Sequence, residues 1–321
     1  MSNVKAIVRD TYGSTDVLRL EEIDRPIPGD DEVLIRIRAS SLNRADRYTL
    51  EGVPAPIRLF SGLFRPKKRG LGMDYAGDVE EVGSQVTDYK PGDAVYGEAD
   101  REVWAEYACV PMRLASRMPS NLTYEQAAPP PPPPPTPLQG LRDFGRLEAG
   151  QEVLINGATG AVGPFAVQVA KALGARVTAV CGQRNVELVR SLDADYVIPY
   201  ETEDFTSRDD SFDIVFDVIG NHRPRACRRI MKDKGIFVVV GGPEGRWLGP
   251  ISSLLGAIAQ APFISQQVVT YTATPNRADL EVLTEMIESG KITPVIDRSF
   301  RLEEVAEALR YLVEAPPHRR W

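Results

Sequence analysis

Cysteine and histidine are scarce in this chain of 321 residues: Cys109, Cys181 and Cys227 are the only thiols, and His222 and His318 the only imidazoles. So few and so scattered, the thiols make neither a disulfide framework nor the C-x-x-C clusters of a structural zinc site, and they read as small buried hydrophobes. Both histidines lie beside Arg and Pro in segments that read as loop, which argues against a histidine-based metal centre. Long apolar runs are also missing. The nearest, Leu254 to Phe263, is broken by Gly, Gln and Pro and falls short of the roughly 20 residues a membrane span needs. Positive charge is not in excess either, with Lys+Arg 38 against Asp+Glu 45 and a net charge of -7, so neither nucleic acid nor an anionic membrane is an expected partner. The basic run Arg65 to Arg69 is bounded by Pro and Gly and reads as a solvated loop. Met1 to Arg9 lacks the charged and then apolar pattern of an export signal, and the expected location is cytoplasmic.

A hydrophobic content of 43% with 26% charged residues fits a globular chain with material for two cores. From Val4 to about Asn121 short alternating runs broken by Gly, Pro and Asp predict strands at Val4 to Val8, Glu32 to Ala39, Ala76 to Val82, Ala94 to Tyr96 and Trp104 to Val110, the pattern of a small barrel. After Gly150 apolar strands alternate with helical stretches. Strands are expected at Val153 to Asn156, Arg176 to Cys181, Tyr196 to Ile198, Phe212 to Val218 and Gly235 to Gly241, and helices at Gly163 to Leu173 and Asn185 to Leu192. Near-continuous Val and Ile in these strands point to a parallel sheet buried on both faces. Beyond Gln266 come a helix from Arg277 to Gly290, a strand at Pro294 to Arg298 and a helix from Leu302 to Glu314. The expected division is a substrate domain over 1–123, an inserted Rossmann domain over 124–265, and a return to the substrate domain over 266–321.

The glycine-rich stretch Gly157, Ala158, Thr159, Gly160, Ala161, Val162, Gly163 follows a strand and opens a helix, with a second strand some twenty residues on, which is the setting a dinucleotide fingerprint requires. Gly160 allows close approach of a pyrophosphate, Gly163 allows helix to pack on strand, and the helix N-terminus offers N–H groups to the anion. At the end of the second strand, Val180, Cys181, Gly182, Gln183 and Arg184 include no acid to bond a ribose 2′-hydroxyl. Arg184 can hold a 2′-phosphate instead, so NADPH is the expected cofactor.

Six motifs in order resemble the zinc-free medium-chain dehydrogenases/reductases of the quinone oxidoreductase type. They are Asn43 to Asp46, Gly72 to Gly77, Val82-Gly83, Gly92 to Gly97, Ala158 to Gly163 and Thr293 to Asp297. The resemblance implies a Rossmann sheet inserted into a mainly β, GroES-like substrate domain. Zinc-dependent alcohol dehydrogenases of the same superfamily carry a Cys where Asn43 stands, a His-Glu pair near Gly72 and a four-Cys lobe, all missing here. The implied reaction is hydride addition to an acceptor that is already electrophilic, a quinone or an α,β-unsaturated carbonyl. The resemblance places Asn43 and Tyr48 on the substrate side and Thr136, Tyr200, Gly241 and Gly242 on the cofactor side, and it allows a homodimer formed through the strand Ile236 to Val240. Asp46, Asp74 and Asp93 read as structural acids. Alternatives are an acyl-thioester enoyl reductase, or an NADPH-binding sensor without turnover.

Two segments depart from the family. Pro129 to Pro135 is an unbroken proline run where the family has helix, and it predicts an extended polyproline segment. Ala315 to Trp321 stands where the family has a closing strand.

Overall fold

The computed structural model describes residues 3–53, 55, 57–100, 102–129, 135–222, 224–240 and 266–314. Gly241, Gly242, most of the proline run and the segment from Ala315 onward lie outside the described residues. The chain divides into two units. One comprises Met1–Pro132, Pro275–Glu288 and Pro294–Ala315; the other comprises Pro133–Thr274, Ser289–Thr293 and Pro316–Trp321.

In the first unit β1 (Asn3–Val8) and β2 (Arg19–Asp24) form an antiparallel ribbon, with Val4, Ala6 and Val8 buried as their alternation requires. The strand β3 (Glu32–Ser40) follows, then α1 (Arg44–Glu51), α2 (Ile57–Ser61), β4 (Asp74–Val82), β5 (Ala94–Glu98), β6 (Tyr107–Pro111) and β7 (Ala115–Arg117). These strands make a five-stranded antiparallel sheet in the order β6-β3-β4-β5-β7. Its core gathers Val33, Ile35, Tyr75, Val79, Val95 and Val110. Trp104 stays outside β6: its carbonyl accepts from Ile7 N–H, which ties it to β1 rather than to the larger sheet. The short helix α3 (Tyr124–Ala127) is closed by a reciprocal cap between Thr123 and Gln126.

The second unit opens with α4 (Pro135–Gln139), continued by a wider π turn over Gly140–Phe144. It proceeds through β8 (Glu152–Asn156), α5 (Gly163–Ala172), β9 (Arg176–Cys181), α6 (Val186–Ser191), β10 (Tyr196–Pro199), β11 (Phe212–Asp217), α7 (Pro224–Arg229), β12 (Met231–Val239) and β13 (Gln267–Thr270). All six strands are parallel, in the order β10-β9-β8-β11-β12-β13. Val153, Leu154 and Ile155 are fully buried, as two covered faces demand. The first unit is completed by α8 (Arg277–Glu288), which buries Leu280, Leu283 and Ile287 at helical spacing, and by α9 (Val305–Glu314).

Four expectations are corrected. Pro135, the last residue of the run expected to be extended, opens a helix over Pro135–Gln139 instead, while residues 130–134 lie outside the described residues. Pro135 and Pro137 stand in its first three positions, where a backbone N–H has no intrahelical partner and the ring's fixed φ suits the turn. Pro294 to Arg298 forms no strand, since no strand lies beside it among the described residues. Its contacts are side-chain ones to α9, with Tyr311 donating to Asp297 at 2.7 Å and Arg298 stacked over the Tyr311 ring. Ile236 to Val240 cannot pair across a dimer axis, because β12 is bonded to β11 on one side and to β13 on the other. The helix expected from Asn185 begins as a 3-10 turn over Gln183–Asn185 and becomes α6 only at Val186.

Candidate functional site

Strand order in the second unit reverses between β8 and β11, and at such a point an open parallel sheet leaves a crevice beyond its carboxyl ends. Gly157 to Val162 form the turn above β8. Gly157 and Ala158 donate to Val180 O of β9, which holds the turn against the sheet. A Cβ on Gly163 would lie 2.2 Å from Gly157 O, so only glycine lets α5 start so close to β8. A Cβ on Gly160 would meet nothing within 4 Å. The N–H groups of Gly160, Ala161 and Val162 have no acceptor among the described residues. Open space over Gly160, free donors beside it and the N-terminus of a ten-residue helix make a cradle that fits a pyrophosphate.

Around the crevice Asn156, at the end of β8, donates to Asp217 of β11 and to Asn221, each at 2.9 Å. Asp217 also accepts from Ile219 and Gly220 N–H. Burial raises its carboxyl above the usual range, and those donors pull it back. This lattice ties the loop after β11 to the glycine turn. Sequence reading passed over it because the partners lie far apart in the chain, although Asp217 ending an apolar strand is a visible signal.

At the end of β9 Cys181 is buried, and burial, with the Glu201 charge adding, pushes its thiol up to about 11. Arg184 is exposed and makes no ion pair among the described residues. Tyr200 follows β10 with its ring half exposed and its N–H donating to Cys181 O at 3.0 Å. Thr136 lies in α4, where its carbonyl accepts from Tyr271 OH. Thus the cofactor-side candidates within the described residues all belong to the second unit.

Asn43 and Tyr48 belong to the first unit, on α1. Asn43 is the N-cap of that helix and is buried. Its N–H donates to Asp46 at 2.8 Å, and its amide Nδ2 donates to Asp74 of β4, which also accepts from Ser41 Oγ. The other Asp74 oxygen, Oδ1, is buried with no donor. Register pairs Asp74 with Glu98 on β5, so three carboxyls gather behind α1. Burial pushes Asp46 up to about 7 against the pull of the Asn43 N–H, and pushes Glu98 up to about 7. Burial and then the Asp46 charge raise Asp74 well above the usual range. Asp46 and Asp74 serve as cap and anchor for Asn43, while Glu98 was not singled out in the sequence. Tyr48 is half-buried, and its hydroxyl has no partner among the described residues. Among the described residues no three His, Cys, Asp or Glu side chains are arranged to hold a metal ion. No helix there is long and apolar enough to cross a membrane.

A parallel sheet in the order β10-β9-β8-β11-β12-β13 with a glycine turn over its first strand is the Rossmann class of dinucleotide-binding fold. Family models for the alcohol dehydrogenase GroES-like domain and for zinc-binding dehydrogenase match residues 29–120 and 192–317. A 2-methylene-furan-3-one reductase of Solanum lycopersicum is 33% identical over 97% of this chain and 76% of that protein. A chloroplastic NADPH-dependent alkenal/one oxidoreductase of Arabidopsis thaliana is 34% identical over 96% of this chain and 76% of its own length. The solved quinone oxidoreductase from Coxiella burnetii superposes with a TM-score of 0.85, at 29% identity over 98% of this chain and 96% of that one. The chain belongs to the zinc-free medium-chain dehydrogenases/reductases of the quinone oxidoreductase type.

Proposed function

We propose that the chain is an NADPH-dependent reductase of quinones or α,β-unsaturated carbonyls. The observation that carries the reading is the cradle at Gly160, with free N–H groups at the start of α5 and an unpaired Arg184 beyond β9. The names of its relatives, reductases of alkenals, enones and quinones, support the acceptor class. Gly157 to Gly163 would take the pyrophosphate, Arg184 the 2′-phosphate, Cys181 and Tyr200 the adenosine side and Thr136 the nicotinamide side. Bound NADPH supplies a hydride to the acceptor.

The chain's own part is to hold and orient. Asn43 is held in place by its bonds to Asp74 and Asp46. Tyr48 offers its free hydroxyl as the proton donor to the enolate or hydroquinone oxygen, with solvent as the other source. An acceptor already polarised by conjugation needs no Lewis acid, which suits the donor set around Asn43. A turnover screen with NADPH against quinones and enones, and with NADP+ against simple alcohols, tests the reading. Oxidation of NADPH by quinones or enones, with no reduction of NADP+ by simple alcohols, is expected; binding of NADPH without consumption by any quinone or enone would reject it.

A further inference from the structure

The end of β9 has no acid in its own sequence, yet a carboxylate stands there. Parallel pairing sets Pro199 of β10 beside Cys181 of β9, so the residues after the two strands run side by side. Glu201, following Tyr200, reaches across and accepts from Gln183 N–H at 2.9 Å. A Cβ built on Gly182 would lie 3.3 Å from Glu201 Oε1 and 3.3 Å from Tyr200 OH, so the carboxylate and the phenol fill the space a side chain there would take. Both Cys181 and Tyr200 are raised in part by the Glu201 charge, which agrees with that closeness. No Lys, Arg or His pairs with Glu201 among the described residues, and its charge is not neutralised locally.

In a Rossmann sheet the point just past the second strand is where a carboxylate bonds a ribose 2′-hydroxyl and repels a 2′-phosphate. We propose that Glu201 performs this task from the third strand, accepting the 2′-hydroxyl of NADH and opposing the 2′-phosphate of NADPH. Arg184, next to Gln183, pulls the other way. The two opposed charges make the chain a user of both nucleotides, with Arg184 tipping the balance to NADPH and Glu201 limiting it. This rests on the cofactor assignment above and adds the residue that sets its selectivity.

The test is the affinity of the full chain for NADPH and for NADH, read by nucleotide fluorescence, in the wild type and in Glu201→Gln. Glutamine keeps an acceptor for Gln183 N–H and removes only the charge. NADPH should bind about three- to tenfold more tightly in the variant, the scale of an exposed like charge a few ångströms away, while NADH is unchanged or slightly weaker. The gain should shrink as salt rises from about 0.05 to 0.5 M, because exposed charges are screened over that range. Equal shifts for both nucleotides, or no shift for NADPH, would overturn the role of Glu201 and leave the cofactor assignment standing. Failure of the wild type to bind either nucleotide would overturn both.

Discussion

Gly160 and Gly163 share one turn and should respond oppositely to the same methyl group. At Gly163 the added carbon would sit 2.2 Å from backbone, so Gly163→Ala must displace α5 from β8; a loss of about 1 to 3 kcal/mol in stability is expected, checked by denaturant unfolding. At Gly160 the carbon meets open space, so Gly160→Ala should leave the unfolding midpoint unchanged and weaken NADPH binding by occupying the ligand's approach. Equal stability losses in both variants would contradict the cradle. Arg184 carries the next residue-scale prediction. Exposed and free of ion pairs, it leaves no buried partner behind when truncated, so Arg184→Ala should weaken NADPH by about 1.5 to 3 kcal/mol with little change for NADH. An equal loss for both nucleotides would remove Arg184 from the 2′-phosphate site. These residues were legible because glycine spacing and a strand-end arginine are local signals. Glu201 was not, since its approach to Gln183 depends on the register of β9 against β10, which no single stretch of sequence encodes.

At the scale of elements, α1 joins local capping to distant burial. The motif Asn43 to Asp46 forecasts a helix start, but that Asp46 is wholly buried and that Asp74 holds the Asn43 amide follow only from the packing of β4 behind the helix. The consequence is a pH dependence. Asp46 in the folded chain titrates near 7, above the usual carboxylate range near 4. Between those values the folded state keeps a proton that the unfolded state has released. The stability Asp46 contributes is therefore complete below about pH 4 and is lost as pH rises through 7, with a slope of up to about 1.4 kcal/mol per pH unit for each such proton. Glu98 acts in the same direction. In Asp46→Asn, where the amide oxygen still accepts from Asn43 N–H, unfolding midpoints measured from pH 4 to 8 should vary less steeply than in the wild type. An unchanged slope would show that Asp46 is ionised throughout. The end of the proline segment teaches the converse lesson: composition alone predicts an extended chain, whereas Pro135, its last residue, and Pro137 beyond it sit where a helix tolerates them. The strands of the parallel sheet were legible from their apolar runs; Pro294 to Arg298 was not, because its extended pattern meets no neighbouring strand among the described residues.

Across the whole molecule the candidate residues fall into two sets, the glycine turn, Arg184 and Glu201 in one unit and Asn43 with Tyr48 in the other. Neither set contains the ligands of a zinc site, so chelators should leave turnover intact and elemental analysis of the purified chain should find no stoichiometric metal; loss of activity on chelation would reject this. The division also makes binding and chemistry separable. Tyr48 is half-buried and its hydroxyl bonds no described residue, so Tyr48→Phe keeps the ring, strands no buried donor or acceptor, and should fold with the stability of the wild type. The hydroxyl's part as proton donor would be lost with it. Turnover with enones should fall about a hundredfold, the scale of a positioned general acid, while the NADPH dissociation constant stays within about twofold. With quinones the loss should be smaller, because the hydroquinone oxygens can take their protons from water. Arg184→Ala should show the reverse, a weakened NADPH with turnover restored at saturating nucleotide, since an interaction made equally in ground and transition states does not alter the chemical step. If Tyr48→Phe weakens NADPH as much as it slows reduction, or slows nothing, then Tyr48 is a packing residue of α1 and the proton comes from solvent alone.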